Sequence, residues 1–380
     1  MSRSTFFRFR VTPEHIALAG ILFFALFLRV TSAASQDFSR AGPGYAWGFP
    51  ADHGAHRNYA TEWWYYTGQL YSAAEVPFKD KPEYGFQLTF FRRGIKSSAD
   101  IRSEFMAHAA ITDVRAGKTF FASRVGGGAL GVAGVSRSSL RAWSGDWSVD
   151  PIGEKLLLRF SVPDVVDRLA RLQRILIDTV PEPWLQGIQG ISAKGRCAGC
   201  ASMYYSLPAL PLSAQYVVGD AEKRLRGIGW MDHEFMTNSL SPNQVGWDWM
   251  GLMLKDGRTV MLFQVRDQTG KVDFASGGIK NGNTTRVLRH DEFALTPVKT
   301  WTSKATNAAY PIEWRVVIPS ENIDTAIQAR VNASEIGEGS QQGVEAGPNK
   351  MVYWEGPVAS QDESVVGYLE MTGYAGKMAL

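Results

Sequence analysis

The sequence predicts an all-β protein built from two halves, and three observations lead to this prediction. Segments of alternating apolar and polar residues recur along the chain, as expected for strands with one buried face. Glycine-rich dipeptides that favour tight turns separate these segments. The length of 380 residues exceeds one ordinary domain and suits two hydrophobic cores. Many short strands joined by such turns are typical of barrels or sandwiches.

The N-terminal segment differs from the rest of the chain. Basic residues among the first ten precede an uninterrupted apolar run, Ile16–Leu28, and small residues follow at Thr31–Ala34. This order predicts a secretory signal peptide over residues 1–34, and hence an exported bacterial protein, periplasmic or secreted. A retained membrane anchor is the alternative, but the run is shorter than the roughly 20 residues that span a bilayer. No later segment is apolar and long enough, so we expect no membrane span after cleavage.

The overall composition narrows the function classes. Hydrophobic residues make up 45% and charged residues 20%, which is typical of a globular chain and excludes a disordered one. The net charge of +3 comes from scattered Lys and Arg, so the pattern for nucleic-acid binding is missing and no such partner is expected. The chain has 12 Trp, 13 Tyr and 20 Phe, whose rings fill cores and line cavities for apolar ligands.

Alternation is clearest in residues 86–90, 156–162 and 312–318, and each of these segments is predicted to be a strand with one polar face. Residues 164–178 have the spacing of an amphipathic helix, although two short strands would fit as well. Turns are predicted at five places: Gly126–Gly128, Gly219–Asp220, Asp256–Gly257, Gly277–Gly278 and Asn281–Asn283.

A domain boundary is predicted near two closely spaced prolines, Pro208 and Pro211. Two prolines this close are not expected inside a central strand, because each lacks the N–H that the ladder needs. The predicted division is an N-terminal domain over residues 35–207 and a C-terminal domain over residues 208–380.

The only cysteines, Cys197 and Cys200, form a CxxC that an exported protein can oxidise to a disulfide stapling a loop. A redox-active CxxC is the alternative, but a helix start after the first cysteine is missing.

The densest aromatic cluster begins at Glu62. Alternation puts Glu62, Trp64 and Tyr66 on one face of a strand and Trp63 and Tyr65 on the other, so that one set packs in a core and the other faces a cavity or a rim. A carboxylate among indole rings is costly to bury without a partner. Glu62 is therefore expected to meet an arginine or backbone donors, or to belong to a binding site.

A second cluster places acidic groups among aromatic residues. Trp230, Asp232 and Glu234 share one strand face, and Trp247 and Trp249 share another. Burial raises the pKa of a carboxyl group, so Asp232 is a candidate general acid, with a purely structural role as the alternative.

Metal and nucleophile motifs are weak in this sequence. His53 and His56 lie beside Asp52, while His108 and His233 lie on other predicted strands, but neither HExxH nor a Cys/His ligand set occurs. No metal and no cofactor is therefore predicted. A Gly-x-Ser-x-Gly elbow, the usual sign of a serine hydrolase, is missing as well.

Nine segments spread over the chain together resemble a known family. They are His56–Gly68, Gly85–Arg92, Ala107–Asp113, Tyr204–Pro208, Trp230–Glu234, Gly246–Trp249, Trp301–Ser303, Tyr353–Gly356 and Gly367–Glu370. In this order they resemble the acyclic carotenoid hydratases (hydroxyneurosporene synthase) and the secreted AttH-type lipocalin-like proteins, which are often described as predicted secreted hydrolases.

The resemblance implies two lipocalin-like, calycin-type β-barrel halves packed together around a site for a hydrophobic ligand. In the hydratase branch it implies addition of water to a carbon–carbon double bond without metal or organic cofactor, and the branch's aspartate falls on Asp232. This chain has Met203 and Tyr205 where the hydratases carry a His and a Trp. Besides Asp232, the predicted ligand-binding residues are Glu62, Trp64, Tyr66, Tyr205, Trp230, His233, Trp247 and Trp249.

Two main hypotheses follow for the function. In the first, Asp232 donates a proton to an apolar, unsaturated molecule such as an isoprenoid or a lipid, as a hydro-lyase or, less in keeping with the motifs, as an acid–base hydrolase. In the second, the same pocket carries a hydrophobic molecule without reaction, as lipocalin barrels do. A third hypothesis, association with a transport complex, rests on the family resemblance alone.

Overall fold

The computed structural model describes residues 37–72, 74–96, 101–128, 131–163, 170–237, 240–337 and 351–377. The predicted signal peptide lies outside these residues. Within them the regular structure is almost entirely β, interrupted by short 3-10 turns such as Ala51–His53 and Pro319–Glu321. Among the described residues, no helix has the length and apolarity needed to cross a membrane. The all-β prediction is confirmed.

The strands form two antiparallel sheets. The first sheet contains β1 (Thr61–Ser72), β2 (Tyr84–Lys96), β3 (Ile101–Asp113), β4 (Lys118–Gly127), β5 (Ala133–Val135), β6 (Ala142–Ser144), β7 (Trp147–Ile152), β8 (Lys155–Pro163), β9 (Ala170–Ile177), β10 (Trp184–Leu185), β11 (Ile191–Ala193), β12 (Ala201–Val218) and β13 (Ala221–Met236). The second contains β14 (Gln244–Leu254), β15 (Thr259–Asp267), β16 (Val272–Asn281), β17 (Thr284–Arg289), β18 (Ala294–Thr302), β19 (Ala309–Ile318), β20 (Ile323–Ala329), β21 (Glu335–Gly337), β22 (Val352–Ser360) and β23 (Val365–Thr372).

The first sheet curls because its two ends meet. Its strand order is β4-β3-β2-β1-β13-β12-β9-β8-β7-β6-β5, with β10 and β11 also paired to β12. At the far ends of this order, β4 contacts β6 and β8, and Arg124 on β4 donates a hydrogen bond to the carbonyl oxygen of Ser144 on β6 at 2.8 Å. The second sheet, in the order β17-β16-β15-β14-β23-β22-β20-β19-β18, has its own apolar core. The result is two barrel-like or half-barrel shapes, as in lipocalin-like folds.

Strand alternation fills each curved sheet. In β8, Leu156, Leu158, Phe160 and Val162 point into the first core. In β19, the predicted segment 312–318 likewise sends its apolar side chains into the second core. Both strands keep a more exposed opposite face, as the alternation predicts.

A third apolar layer lies between the two sheets. It joins Tyr65, Tyr204 and Trp230 of the first sheet to Trp249 and Tyr368 of the second. Gln69 on β1 crosses the layer, where its Nε2 donates hydrogen bonds to the carbonyl oxygens of Val358 at 2.9 Å and Gly367 at 2.7 Å. The second face of β2, predicted to be polar and solvated, is covered by this packing, since Gln87 and Thr89 are buried.

Several local predictions are corrected by the structure. Residues 170–177 form strand β9 and not a helix, while residues 164–169 lie outside the described part of the chain. The predicted turns at residues 219–220, 256–257 and 281–283 occur at the ends of hairpins. Gly126, Gly127 and the pair Gly277–Gly278 instead lie inside strands. A Cβ on Gly277 would lie 2.5 Å from the carbonyl oxygen of Met261, so this glycine allows close approach of β15 and does not form a turn.

The prediction that Pro208 and Pro211 do not lie inside a central strand is wrong. Both belong to β12, which pairs with β13 on one side and with β9, β10 and β11 on the other. A bulge between Leu207 and Leu210 takes Pro208 out of the ladder with β13. On the opposite edge the pairing with β10 ends at Ser206 and the pairing with β9 begins at Leu212, so neither missing N–H interrupts a continuous ladder.

The predicted boundary between residues 207 and 208 therefore falls within a continuous strand. The chain changes sheets later, between Met236 and Gln244. Phe38–Leu380 groups as one compact unit that contains both sheets.

Because Leu158 is fully buried in the first core, the change Leu158→Ala is expected to lower the free energy of unfolding by about 2–5 kcal/mol through lost apolar burial and a residual cavity. Urea unfolding followed by tryptophan fluorescence measures this loss. The control is Ile152→Ala in neighbouring β7, where the side chain is 49% exposed and the change is expected within about 0.5 kcal/mol. Equal losses in the two variants would contradict the assignment of the core face.

Candidate functional site

A cavity opens between the two sheets, beside the apolar layer that joins them. Its empty volume is about 810 Å³, a figure that includes the open mouth. Eight of the described lining residues are aromatic: Trp63, Tyr65, Phe91, Tyr204, Trp247, Trp249, Phe263 and Tyr353. Besides these aromatic residues, seven described lining residues are polar, and four of the seven carry carboxyl groups.

Strand parity decides which residues reach the cavity. On β1 the odd-numbered residues Trp63 and Tyr65 line it, whereas Trp64 and Tyr66 point into the core of the first sheet. Tyr65 is the cross-strand partner of Asp232 on β13, so both side chains emerge on the same face.

Asp232 lies in the cavity wall and is only 4% exposed. Ser206 Oγ and Trp230 Nε1 both donate hydrogen bonds to its Oδ1, at 2.5 Å and 2.8 Å. Burial raises the pKa of Asp232 to about 7, although these donors and Tyr204 act in the opposite direction. The side chain is thus an acid whose proton is available near neutral pH.

Glu234 also lines the cavity, but it has a cationic partner. Lys194 Nζ lies 2.6 Å from Glu234 Oε1, and Ser202 donates a hydrogen bond to the same oxygen. The ammonium group also lies 4.3 Å from the centre of the Phe263 ring and 5.0 Å from that of Tyr204. Among the described lining residues Lys194 is the only Lys or Arg, so one cation faces several carboxyl groups.

Two further carboxyl groups come from the second sheet. Glu355 on β22 and Glu370 on β23 are direct cross-strand partners and both line the cavity. Trp247 Nε1 donates to Glu370 Oε2 at 3.2 Å, and Tyr65 donates to Glu355 Oε1. Burial raises the pKa of Glu370 to about 7, and the nearby Asp232 and Glu234 add to this effect. Burial and the charge of Glu370 raise the pKa of Glu355 well above its ordinary range.

This arrangement suits general acid–base chemistry on an apolar molecule. Asp232 on one sheet and Glu370 on the other titrate near neutral pH, so each is able to hold or release a proton there. The indole rings of Trp63 and Trp249 provide electron-rich faces beside the acids.

The structure separates the predicted site residues into two groups. Asp232, Trp247 and Trp249 line the cavity, and Trp230 contacts Asp232 through its Nε1 and the Trp249 ring at 6.0 Å between centres. The remaining predicted ligand-binding residues lie on the opposite face of the first sheet and do not line the cavity. They are Glu62, Trp64, Tyr66, Tyr205 and His233. These residues lie on the same strands as the cavity residues, β1, β12 and β13. Because successive side chains of a strand alternate between the two faces, they point away from the cavity, into the first sheet.

Glu62 belongs to a buried polar network in the first sheet. Its Oε2 accepts a hydrogen bond from Arg92 Nε at 2.8 Å, and its Oε1 accepts from His56 Nδ1 at 2.7 Å and from His233 Nε2 at 2.9 Å. Burial favours the neutral acid, but the bonds from His233 and His56 and the charge of Arg92 outweigh it and hold the pKa of Glu62 below its ordinary range. The expected arginine partner of Glu62 is therefore present.

The network also fixes the two histidine rings and contains a potential ligand set. His56 Nε2 lies 3.1 Å from Asp52 Oδ1, and His233 Nδ1 lies 3.2 Å from the Tyr205 hydroxyl. The ligand atoms of His56, Glu62 and His233 lie within 4.8 Å of one another, a set able to coordinate a divalent metal. The same atoms are already joined by direct hydrogen bonds, and Arg92 adds a positive charge beside them.

The two cysteines form a disulfide next to the cavity. Cys197 and Cys200 are bonded, with 5.3 Å between their Cα atoms, in the loop between β11 and β12. The backbone N–H of Lys194 donates to the carbonyl oxygen of Cys200 at 2.8 Å. The disulfide therefore staples the loop that presents Lys194 to Glu234.

Sequence reasoning did not assign a role to Glu355, Glu370, Tyr65, Tyr204 or Lys194. Glu355 and Glu370 lie within segments that carry the family resemblance, and this membership is the feature of the sequence that could have identified them as site residues. Their pairing depends on the register of β22 and β23, which places the two carboxyl groups directly opposite each other.

Comparisons with known proteins agree on one family and one fold. The family model described as AttH-like matches residues 40–374. The crystal structure of an AttH-type protein from Nitrosomonas europaea is similar over 89% of this chain and 100% of its own, with 29% identity and a TM-score of 0.75. That of kievitone hydratase from Nectria haematococca is similar over 90% of this chain and 97% of its own, with 13% identity and a TM-score of 0.59. No curated protein gives a significant match.

The change Glu62→Gln is expected to lower the free energy of unfolding by about 3–5 kcal/mol, because it leaves the Arg92 guanidinium buried without its counter-charge. Chemical denaturation measures the loss. The matched control is Asp324→Asn in the exposed pair of Arg315 and Asp324, where a change of at most about 1 kcal/mol is expected. If both changes have the same small effect, the Glu62 network does not stabilise the first sheet.

Proposed function

Because the chain belongs to the AttH-like family and has its lipocalin-like fold, we propose that it binds an apolar, unsaturated small molecule between its sheets and adds water to a carbon–carbon double bond. The observation that carries this proposal is the buried Asp232 carboxyl group in the wall of an aromatic cavity, where burial raises its pKa to about 7. An isoprenoid or a lipid-like molecule has the required double bond. Kievitone hydratase, which shares the fold, is named for a hydration reaction.

The proposed reaction begins with proton transfer from Asp232. The π electrons of the double bond take this proton and form a C–H bond at one carbon, which leaves a carbocation at the other. The ring faces of Trp63 and Trp249 stabilise the positive charge, an interaction worth about 2 kcal/mol or more in a desolvated site. The Asp232 carboxylate then keeps its hydrogen bonds from Ser206 and Trp230.

The second step is the addition of water to the carbocation. The water oxygen forms the C–O bond, and the ionised Glu370 accepts the proton that the water releases. Asp232 has then lost one proton and Glu370 has gained one, so exchange with solvent restores both groups. Lys194 keeps Glu234 paired throughout, which limits the negative charge in the cavity.

We also propose that the protein is exported. The basic start, the apolar run and the small residues of positions 1–34 support this. The disulfide between Cys197 and Cys200 fits an oxidising compartment, where such bonds persist. Export is tested by N-terminal sequencing of the protein recovered from the periplasm or medium of its host.

The change Asp232→Asn is expected to lower turnover by about 10²–10⁴-fold while leaving ligand affinity nearly unchanged, because the amide keeps the shape of the acid but does not transfer a proton. Native mass spectrometry of protein purified from its host identifies the bound molecule. Incubation of that molecule with the protein in water labelled with heavy oxygen detects the added hydroxyl group.

The rate of hydration by the parent is expected to peak near pH 7, falling at higher pH as Asp232 ionises and at lower pH as Glu370 is protonated.

The exposed turn residue Asp220 provides the control, since Asp220→Asn is expected to have the turnover of the parent. If the parent retains its ligand without labelling it, the protein is a carrier and the hydratase proposal is wrong.

The pH dependence of stability supplies an independent check on Asp232. In the unfolded chain its carboxyl group ionises near pH 3.8, whereas in the folded chain it ionises near pH 7. The stabilising contribution of the protonated form is therefore complete below about pH 4 and is lost as the pH rises to about 7. Between pH 4 and pH 8 the parent therefore loses free energy of unfolding that Asp232→Asn keeps. The difference in free energy of unfolding, variant minus parent, is expected to rise by on the order of 2–4 kcal/mol over this pH range.

Unfolding at both pH values measures this difference, and Asp220→Asn again serves as the control. A variant that follows the parent at every pH would show that Asp232 titrates normally.

A further inference from the structure

The Glu355 carboxyl group has one oxygen without a partner in the cavity wall. Its Oε1 accepts a hydrogen bond from Tyr65, but its buried Oε2 has no hydrogen-bond partner among the described residues. The side chain is 1% exposed and lines the cavity. A polar oxygen in such a dry position costs free energy unless a bound molecule supplies its partner.

The neighbouring Glu370 determines the protonation state of Glu355. The two residues are directly opposed on β22 and β23, where side-chain Cβ atoms are typically about 4.5–5.5 Å apart. Two carboxylates at this separation repel each other strongly in a desolvated site, so one of them holds a proton. Burial and the charge of Glu370 raise the pKa of Glu355 well above its ordinary range, and its proton resides on Oε2 because Tyr65 donates to Oε1.

We propose that Glu355, as a neutral acid, donates a hydrogen bond from Oε2 to an oxygen atom of the bound molecule. The substrate class is then an apolar, unsaturated skeleton that carries a hydroxyl, carbonyl or ether oxygen, and not a pure hydrocarbon. This inference rests on the proposed function in using the same cavity, but it assigns Glu355 to ligand recognition and not to proton transfer. Asp232 and Glu370 remain the groups that exchange protons with the substrate.

A pair of ligands of nearly equal shape tests the hydrogen bond. In 2-methoxynaphthalene an ether oxygen accepts a hydrogen bond, whereas 2-ethylnaphthalene has a methylene group at the same place. The parent is expected to bind the ether about fivefold to tenfold more tightly, as one buried neutral hydrogen bond provides. Quenching of tryptophan fluorescence measures both affinities, because Trp63, Trp247 and Trp249 line the cavity.

Two substitutions at Glu355 separate its hydrogen bond from its volume. Glu355→Gln keeps an N–H donor and is expected to keep the preference for the ether, whereas Glu355→Met has a similar size without a donor and is expected to lose it. The exposed Glu154→Gln is the control and is expected to behave as the parent. Infrared difference spectroscopy of the parent against Glu355→Gln is expected to show the carbonyl band of a protonated carboxyl group at pH 8, shifted when 2-methoxynaphthalene is added.

Each alternative result identifies what has failed. Equal binding of the two naphthalenes by the parent, a preference retained in Glu355→Met, or a missing carbonyl band at pH 8 would overturn the role of Glu355 while the proposed function stands. If the parent binds neither naphthalene, the proposed apolar-ligand cavity fails, and the inference fails with it.

Discussion

Face-to-face packing of the two sheets is the constraint on which the candidate site depends. It removes from bulk water the side chains of β1, β12 and β13 that would otherwise form a polar outer surface. Asp232 and Glu234 from one sheet meet Glu355 and Glu370 from the other, with Lys194 as the only Lys or Arg among the described lining residues. Since these carboxyl groups cannot all be ionised in a dry cavity, part of them retain protons near neutral pH.

The first sheet buries a carboxyl group in two ways, on the opposite faces of the neighbouring strands β1 and β13. On the inner face, Glu62 is ionised because Arg92 and two histidines surround it. On the outer face, Asp232 has only neutral donors, so burial dominates and favours the acid form. The first arrangement stabilises the fold, and the second leaves a reactive proton beside a ligand cavity. A one-residue step along β13, from Asp232 to His233, separates the two environments.

Alternation correctly indicated strands, their apolar faces and the pairing of residues on a face, because a period of two is a local property of the backbone. It also grouped Trp63 with Tyr65, and Trp64 with Tyr66. The choice between these two sets depends on what packs against each face, and that is decided by residues more than a hundred positions away. Alternation alone therefore does not distinguish Trp63 and Tyr65, which line the cavity, from Trp64 and Tyr66, which point into the core of the first sheet. The prolines of β12 have a related explanation. They are tolerated because neither β10 nor β9 pairs with β12 between Ser206 and Leu212, and the sequence around the prolines does not show where these neighbouring strands end.

The sequence by itself determined the all-β class, the strands at residues 86–90, 156–162 and 312–318, the family and the candidate acid Asp232, because these depend on local periodicity and on short motifs. Only the tertiary structure decided that β1 and β13 join at the centre of the first sheet, and that Glu355 and Glu370 face the cavity that Asp232 lines. Strand pairing between distant segments and packing between sheets are not encoded in any short window of residues. The pKa values that define the candidate site arise from that packing, since burial by the opposite sheet supplies their largest cause.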